Sequence, residues 1–210
     1  MDKGKLDKKW FENYWYYYKF HTIAGIFALF IAAVTLVECA TNVKTDATVT
    51  YIGGAYFDQT FSDGFESEMS QYIDDVNGDG VNKIFFSLLT LSEEVTSEQD
   101  IAMQQKAQLE IAVGETYLFL MDEGYYRLYQ EQNLFEDAAR HVGADEPLYG
   151  FAVNNSDFLK NLGFAPKSTV YAAVRVLTSG DEKKPQKVAQ QNNAFKMLTR
   201  LYAGTDARME

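Results

Sequence analysis

The sequence predicts an α/β protein: an N-terminal transmembrane helix followed by one three-layer α/β domain with a mostly parallel sheet. Three observations carry that expectation. An uncharged run from Thr22 to Val37 follows a basic segment crowded with aromatic residues. Beyond it, apolar runs of strand length alternate with segments whose apolar residues recur every three or four positions. The chain has only three prolines among 210 residues and no Ser/Gly/Pro tract, so the part after the run reads as one domain.

The organisation expected is a cytoplasmic tail with an aromatic interface belt over 1–20, a transmembrane helix over 21–39 and an extracytoplasmic α/β domain over 46–205. The uncharged run is about 16 residues, slightly short of the roughly 17–25 of a spanning helix. Phe20, His21 and the preceding Trp10, Phe11, Tyr14, Trp15, Tyr16, Tyr17 and Tyr18 extend it as a belt at headgroup level. A buried core helix explains neither the one-sided Lys/aromatic flank nor the place at the N-terminus. A cleaved signal peptide is the second alternative, although no small-residue cleavage site follows the run. Cys39 invites a lipid anchor, but Glu38 occupies the position where a lipobox needs a small residue. An uncleaved single span is the reading adopted. Lys3, Lys5, Lys8, Lys9 and Lys19 precede the run and only Lys44 follows closely, which places the N-terminus inside the cell membrane and the domain outside.

Charge narrows the function classes. Five of the 19 basic and four of the 30 acidic residues lie in the first 39, leaving 14 and 26 beyond, a formal charge of −12. Such a domain is unsuited to nucleic-acid phosphates or anionic lipid. One cysteine and two histidines exclude disulfides and a Cys/His zinc centre.

The elements follow in order. Asp46–Phe57 alternates through Val49 and Tyr51 and ends in Gly53-Gly54, a first strand and turn. Phe61, Phe65, Met69, Tyr72 and Ile73 form a helical stripe. Lys83–Leu91 is nearly continuously apolar, as in a strand buried on both faces. A capping box from Ser97 and Asp100, or Thr96 and Gln99, opens a helix through Ala102, Leu109, Ala112 and Val113 that Gly114 closes. Thr116–Met121 is a buried strand, and Tyr125, Leu128, Tyr129, Leu134 and Phe135 mark a third helical segment. Leu148–Val153 and Thr169–Leu177 are further strands, and Val188–Tyr202 is an amphipathic final helix.

One motif carries site chemistry. Asp75, Asn77 and Asp79, followed by Gly80, match the opening half of a calcium loop, with oxygens at positions 1, 3 and 5 and glycine at the turn. The twelfth position is Phe86 instead of a bidentate Glu, and the ninth is Lys83, so the motif supports a weak calcium site completed by water or Asp74, or else a plain turn. His141 beside Asp145 and Glu146 has no second ligand at metal spacing, and Tyr125, Tyr126 and Tyr129 read as packing residues at helical spacing. No nucleophile elbow, P-loop or Rossmann glycine pattern occurs.

The segments YLFLMDEGYYRLYQEQNLFEDA and LYGFAVNNSDFLKNLGF resemble the first lobe of extracellular solute-binding proteins of ABC importers. Anchor included, the chain resembles uncharacterised single-span membrane proteins of Gram-positive bacteria. The resemblance implies that the strand Thr116–Met121 delivers the chain to a ligand cleft, with Tyr125–Phe135, Tyr149–Val153 and Ser156–Phe164 as the elements that follow. It departs in length, since too few residues remain for a second lobe, and no binding residue is carried over. The expectation is a membrane-anchored, non-catalytic binding or accessory module with an unknown ligand, a partner in the bilayer through its N-terminal helix, and another membrane protein as a further partner. A cell-envelope hydrolase using a carboxylate pair is the alternative.

Overall fold

The computed structural model describes residues 8–41, 44–92, 96–203 and 205. Lys3 and Lys5 of the tail lie outside these, as do the side chains of Trp10, Phe11, Glu38 and Cys39. The chain forms two compact units, Met1–Val43 and Lys44–Glu210.

In the first unit, one helix, α1, runs unbroken over Lys8–Thr41, 34 residues, or about 51 Å at 1.5 Å per residue. Its apolar window Tyr14–Thr35 spans 22 residues, none of it buried, and is long and apolar enough to cross a membrane. Tyr14 stacks on Tyr18 at 5.4 Å, and the Thr22 hydroxyl donates to the Tyr18 carbonyl at 3.0 Å. Mid-helix hydroxyls are thereby satisfied from within the helix, which a segment in hydrocarbon requires.

The second unit is built from β1 (Ala47–Gly53), α2 (Gln59–Met69), β2 (Ile84–Thr90), α3 (Glu98–Val113), β3 (Leu118–Asp122), α4 (Glu123–Gln130), α5 (Ala139–Val142), β4 (Phe151–Ala152), α6 (Asp157–Asn161), β5 (Val170–Val174) and α7 (Pro185–Ala203). The five strands form one sheet in the order β2-β1-β3-β5-β4. The sheet is mixed, not mostly parallel as the alternation of strands and helices suggested. β1 pairs parallel with β2 and β3, whereas β5 pairs antiparallel with both β3 and β4. β5 slots in reverse between β3 and β4, and the chain reaches it from β4 through residues 153–169, which include the five-residue α6.

Each face of the sheet buries its own cluster. Val49, Tyr51, Phe86, Leu118, Leu120, Ala172 and Val174 meet Phe61, Phe65 and Met69 of α2 and Phe195, Met197, Leu198 and Leu201 of α7. On the other face Ile52, Leu89, Phe119, Met121 and Ala173 meet Ala107 and Ile111 of α3 with Tyr126 and Tyr129 of α4. Tyr126 lies flat on Tyr171 at 4.4 Å and on Phe135 at 5.6 Å, and burial pushes its phenol up to about 12. The packing role expected of these tyrosines is the one observed. α3 corrects the sequence reading differently. Its buried residues are Ala107 and Ile111, while Leu109 and Val113 face outward. Gly114 closes the helix in extended conformation, and a side chain there would strike the Glu110 carbonyl at 2.3 Å.

Several buried polar groups fix register. Asp46, fully buried, accepts from the amides of Val76 (2.8 Å) and Asn77 (3.2 Å) through one oxygen and of Lys83 (2.9 Å) through the other. Asn193 of α7 bonds both the N–H and the C=O of Asp74, at 2.9 and 2.8 Å. Arg175 lies buried behind α3 and donates to the carbonyls of Ile111 (3.3 Å) and Gly114 (2.7 Å), supplying partners to a helix end. Burial lowers its pKa, and the Tyr117 ring 4.9 Å away offsets part of that cost.

Two measurements test this frame. Asp46→Ala leaves the three amides without their acceptor inside the fold and is expected to cost about 3 kcal/mol, read by chemical denaturation of the full chain in detergent. An unchanged midpoint would show that water replaces the carboxylate freely. At the start of α3 the Ser97 hydroxyl and the amides of Thr96 and Ser97 donate to Asp100, completing a capping box. These bonds hold Asp100 at about 2 against an ordinary 3.8. A depressed carboxylate stabilises fully above its unfolded pKa, and that contribution disappears as pH falls through the folded value. Asp100→Asn should therefore be less stable than the wild type at pH near 5, with the difference vanishing towards about pH 2; a difference independent of pH would contradict the assignment.

Candidate functional site

The sheet order reverses direction at β1. From β1 the chain passes through α2 to β2 on one side, then returns through α3 on the opposite face to β3 on the other side. Where two crossovers diverge like this, the carboxyl ends of the strands leave a crevice that neither helix fills. Here those ends are Gly53-Gly54 and Asp122. An open crevice of about 670 Å³ lies there, lined by residues 54–57, Asp122, Gly163 and residues 165–168. A shallower one of about 400 Å³ adjoins it and shares Tyr56, Phe57 and Gly163. The larger volume is in the range of small-molecule sites.

The floor is rigid. Phe57 stacks on Phe61 at 4.7 Å and on Phe164 at 5.3 Å, which pins both rim loops to the core. Tyr51 donates from its hydroxyl to Asp122 Oδ1 at 2.7 Å and accepts from the Ala55 amide at 3.0 Å. The Gly54 amide donates to Asp122 Oδ2 at 2.9 Å. Burial, and then the bond to Asp122, push the Tyr51 phenol well above its ordinary range, so it remains a protonated donor under all physiological conditions. Each Asp122 oxygen thus has one fixed partner and a spare lone pair.

Above this floor stand an exposed Tyr56 ring, Lys167 and Ser168. A carboxylate, a cation, a hydroxyl and an aromatic face together can orient a small polar ligand. Among the described lining residues Asp122 is the one carboxylate.

The residues singled out from sequence lie elsewhere. Asp75, Asn77 and Asp79 share one turn between α2 and β2, and their oxygens bond the turn's own amides. Asp75 accepts from Gly78 (2.6 Å) and Gly80 (2.7 Å), Asn77 from Asp79 (3.0 Å), and Asp79 from Val81 (2.9 Å). The Gly80 amide contributes most to lowering the pKa of Asp75. Gly78 and Gly80 adopt φ of 76° and 82°, the left-handed conformations the turn requires. Asn77 also donates to the Lys44 carbonyl and to Asp46, so the turn is fastened to the start of β1. Among the described residues no three His, Cys, Asp or Glu come together as a metal-binding group. His141 lies on the Phe195 ring at 3.8 Å.

Sequence reading missed Asp122, Tyr51 and Lys167. A signal for the first two existed: a carboxylate immediately after the buried strand Thr116–Met121, and a Gly-Gly pair ending the first strand, both at strand ends where open sheets bind ligands. Gly53 is needed because a Cβ there would lie 2.4 Å from both Asp122 Cγ and the Tyr51 hydroxyl. Gly53→Ala should force the Tyr51–Asp122 pair apart at a cost of about 1–3 kcal/mol, seen as a lower denaturation midpoint; an unaltered midpoint would mean the floor yields easily.

Compared with protein families, curated proteins and solved structures, the chain matches none.

Proposed function

We propose that the protein is a membrane-anchored extracytoplasmic binding module, not a catalyst, which takes a small polar solute into the crevice at the ends of β1 and β3. The observation that carries this reading is the immobilised carboxylate. Asp122 is oriented by Tyr51 and Gly54 beneath an open space, with Tyr56, Lys167 and Ser168 around it. A preorganised acceptor loses little entropy when a ligand hydroxyl or ammonium binds. The exposed Tyr56 ring would stack against the ligand's less polar face.

The membrane part of the reading rests on α1. Its apolar window is wholly exposed, and Lys19 and the tyrosines cluster at one end. The resemblance of Tyr117–Ala138 and Leu148–Phe164 to a solute-binding lobe points to the same reading, and β3 ends at the crevice. A hydrolase acting through a carboxylate pair would need a second carboxyl about 5–10 Å from the first. Among the described residues Asp122 is the one carboxylate lining the larger crevice, and Asp58 in the adjoining one is engaged as the cap of α2, accepting from the Phe61 amide at 2.9 Å.

The test uses the full chain in lipid nanodiscs, with melting followed against a panel of monosaccharides, amino acids and dipeptides at millimolar concentration. At least one class should raise the melting temperature of the wild type, and Ala165→Trp, which fills the crevice from an exposed position, should abolish the rise without unfolding the domain. No shift with any class, or the same shift in Ala165→Trp, would refute binding at this place. In cells the chain should stay with the membrane after alkaline washing and be cleaved by protease added from outside.

A further inference from the structure

β2 forms one edge of the sheet over seven residues, while the opposite edge, β4, has two. A long edge presents a row of backbone donors and acceptors to any strand that can pair with it. The direction of those groups follows from two bonds. The Leu91 amide donates inward to the Gly53 carbonyl at 2.8 Å, whereas the Phe86 amide points outward and is held by Glu66 of α2 at 2.8 Å. Strand alternation then turns the amides of Ile84, Phe86, Leu88 and Thr90 outward.

The central five residues of this edge, Phe85-Phe86-Ser87-Leu88-Leu89, match their own reverse in chemical class. Antiparallel pairing of two copies about Ser87 sets Phe85 opposite Leu89, Phe86 opposite Leu88 and Ile84 opposite Thr90. Outward-pointing residues then face one another, as hydrogen-bonded antiparallel pairs require. The strand contains no charge, and Phe85, 53 % exposed, would be covered by the other copy. Self-complementarity of this kind defines a two-fold, isologous contact.

We propose that two copies of the chain pair through β2, centred on Ser87, joining their sheets into one. Glu66 is the restraint on that pairing. Its carboxylate occupies the Phe86 amide that the second copy's Leu88 carbonyl must take, and it adds to the mutual repulsion of two chains of net charge −11. Association therefore strengthens with ionic strength.

The experiment uses the full chain in detergent, with Cys39→Ser as background. Mild oxidation should link Ser87→Cys to itself and leave Leu128→Cys, exposed on α4, unlinked. In sedimentation, Phe85→Lys should weaken the dimer roughly tenfold or more by placing a charge on the edge, and Glu66→Ala should strengthen it. A monomer with no Ser87→Cys bridge overturns the proposal. So does a dimer that Phe85→Lys leaves intact without that bridge, since it would be held by another surface such as α1.

Discussion

The bonds around Asp122 are the constraint on which the crevice end of the domain depends. β1 and β3 are neighbours by their backbone ladder, but a ladder alone does not decide how their ends diverge. One carboxylate does so by receiving the Tyr51 hydroxyl from β1 and the Gly54 amide just beyond it. The approach is close enough that position 53 has no room for a side chain. The absent Cβ, the raised phenol and the open space above them are aspects of one arrangement. Rigidity at the floor and openness at the rim coexist because the floor uses only half of the carboxylate's acceptor capacity.

At the other end of the strands a second carboxylate does comparable work in closed surroundings. Asp46 gathers the turn after α2 and the entry to β2, and Asn193 brings α7 to the same place. The glycine-rich turn thereby becomes part of the frame. Its Asp and Asn oxygens accept from the amides of the turn itself, and Asn77 ties the turn to Asp46.

Much of the fold was legible in the sequence because its signals are local. The period of the apolar residues marked β1, α2 and α7, and the Ser97–Asp100 spacing marked the start of α3. A continuous apolar run marked β2, which lies at the sheet edge with Phe85 exposed instead of buried on both faces. What failed was non-local. The reversal of β5 is set by where the chain inserts it between β3 and β4, and the outward turn of Leu109 and Val113 depends on which stripe of α3 meets the sheet. The candidate site was harder still. Tyr51 and Asp122 are 71 residues apart, and Lys167 comes from a loop whose composition is unremarkable. The Asp75–Asp79 motif could be read because it is local, whereas the residues that line the crevice are assembled by topology.

The position of α7 carries a consequence for how the domain is made. It supplies Phe195, Met197, Leu198 and Leu201 to the face that β1 and β3 turn towards it, and Asn193 reaches back 119 residues to Asp74. Strands formed early in synthesis thus have one apolar face only partly covered, by α2, until α7 leaves the ribosome. Contacts of such separation are slow to form and leave an aggregation-prone surface in the interval. In that interval the half-made sheet must be kept apart from its neighbours if it is to meet its own α7 rather than another chain.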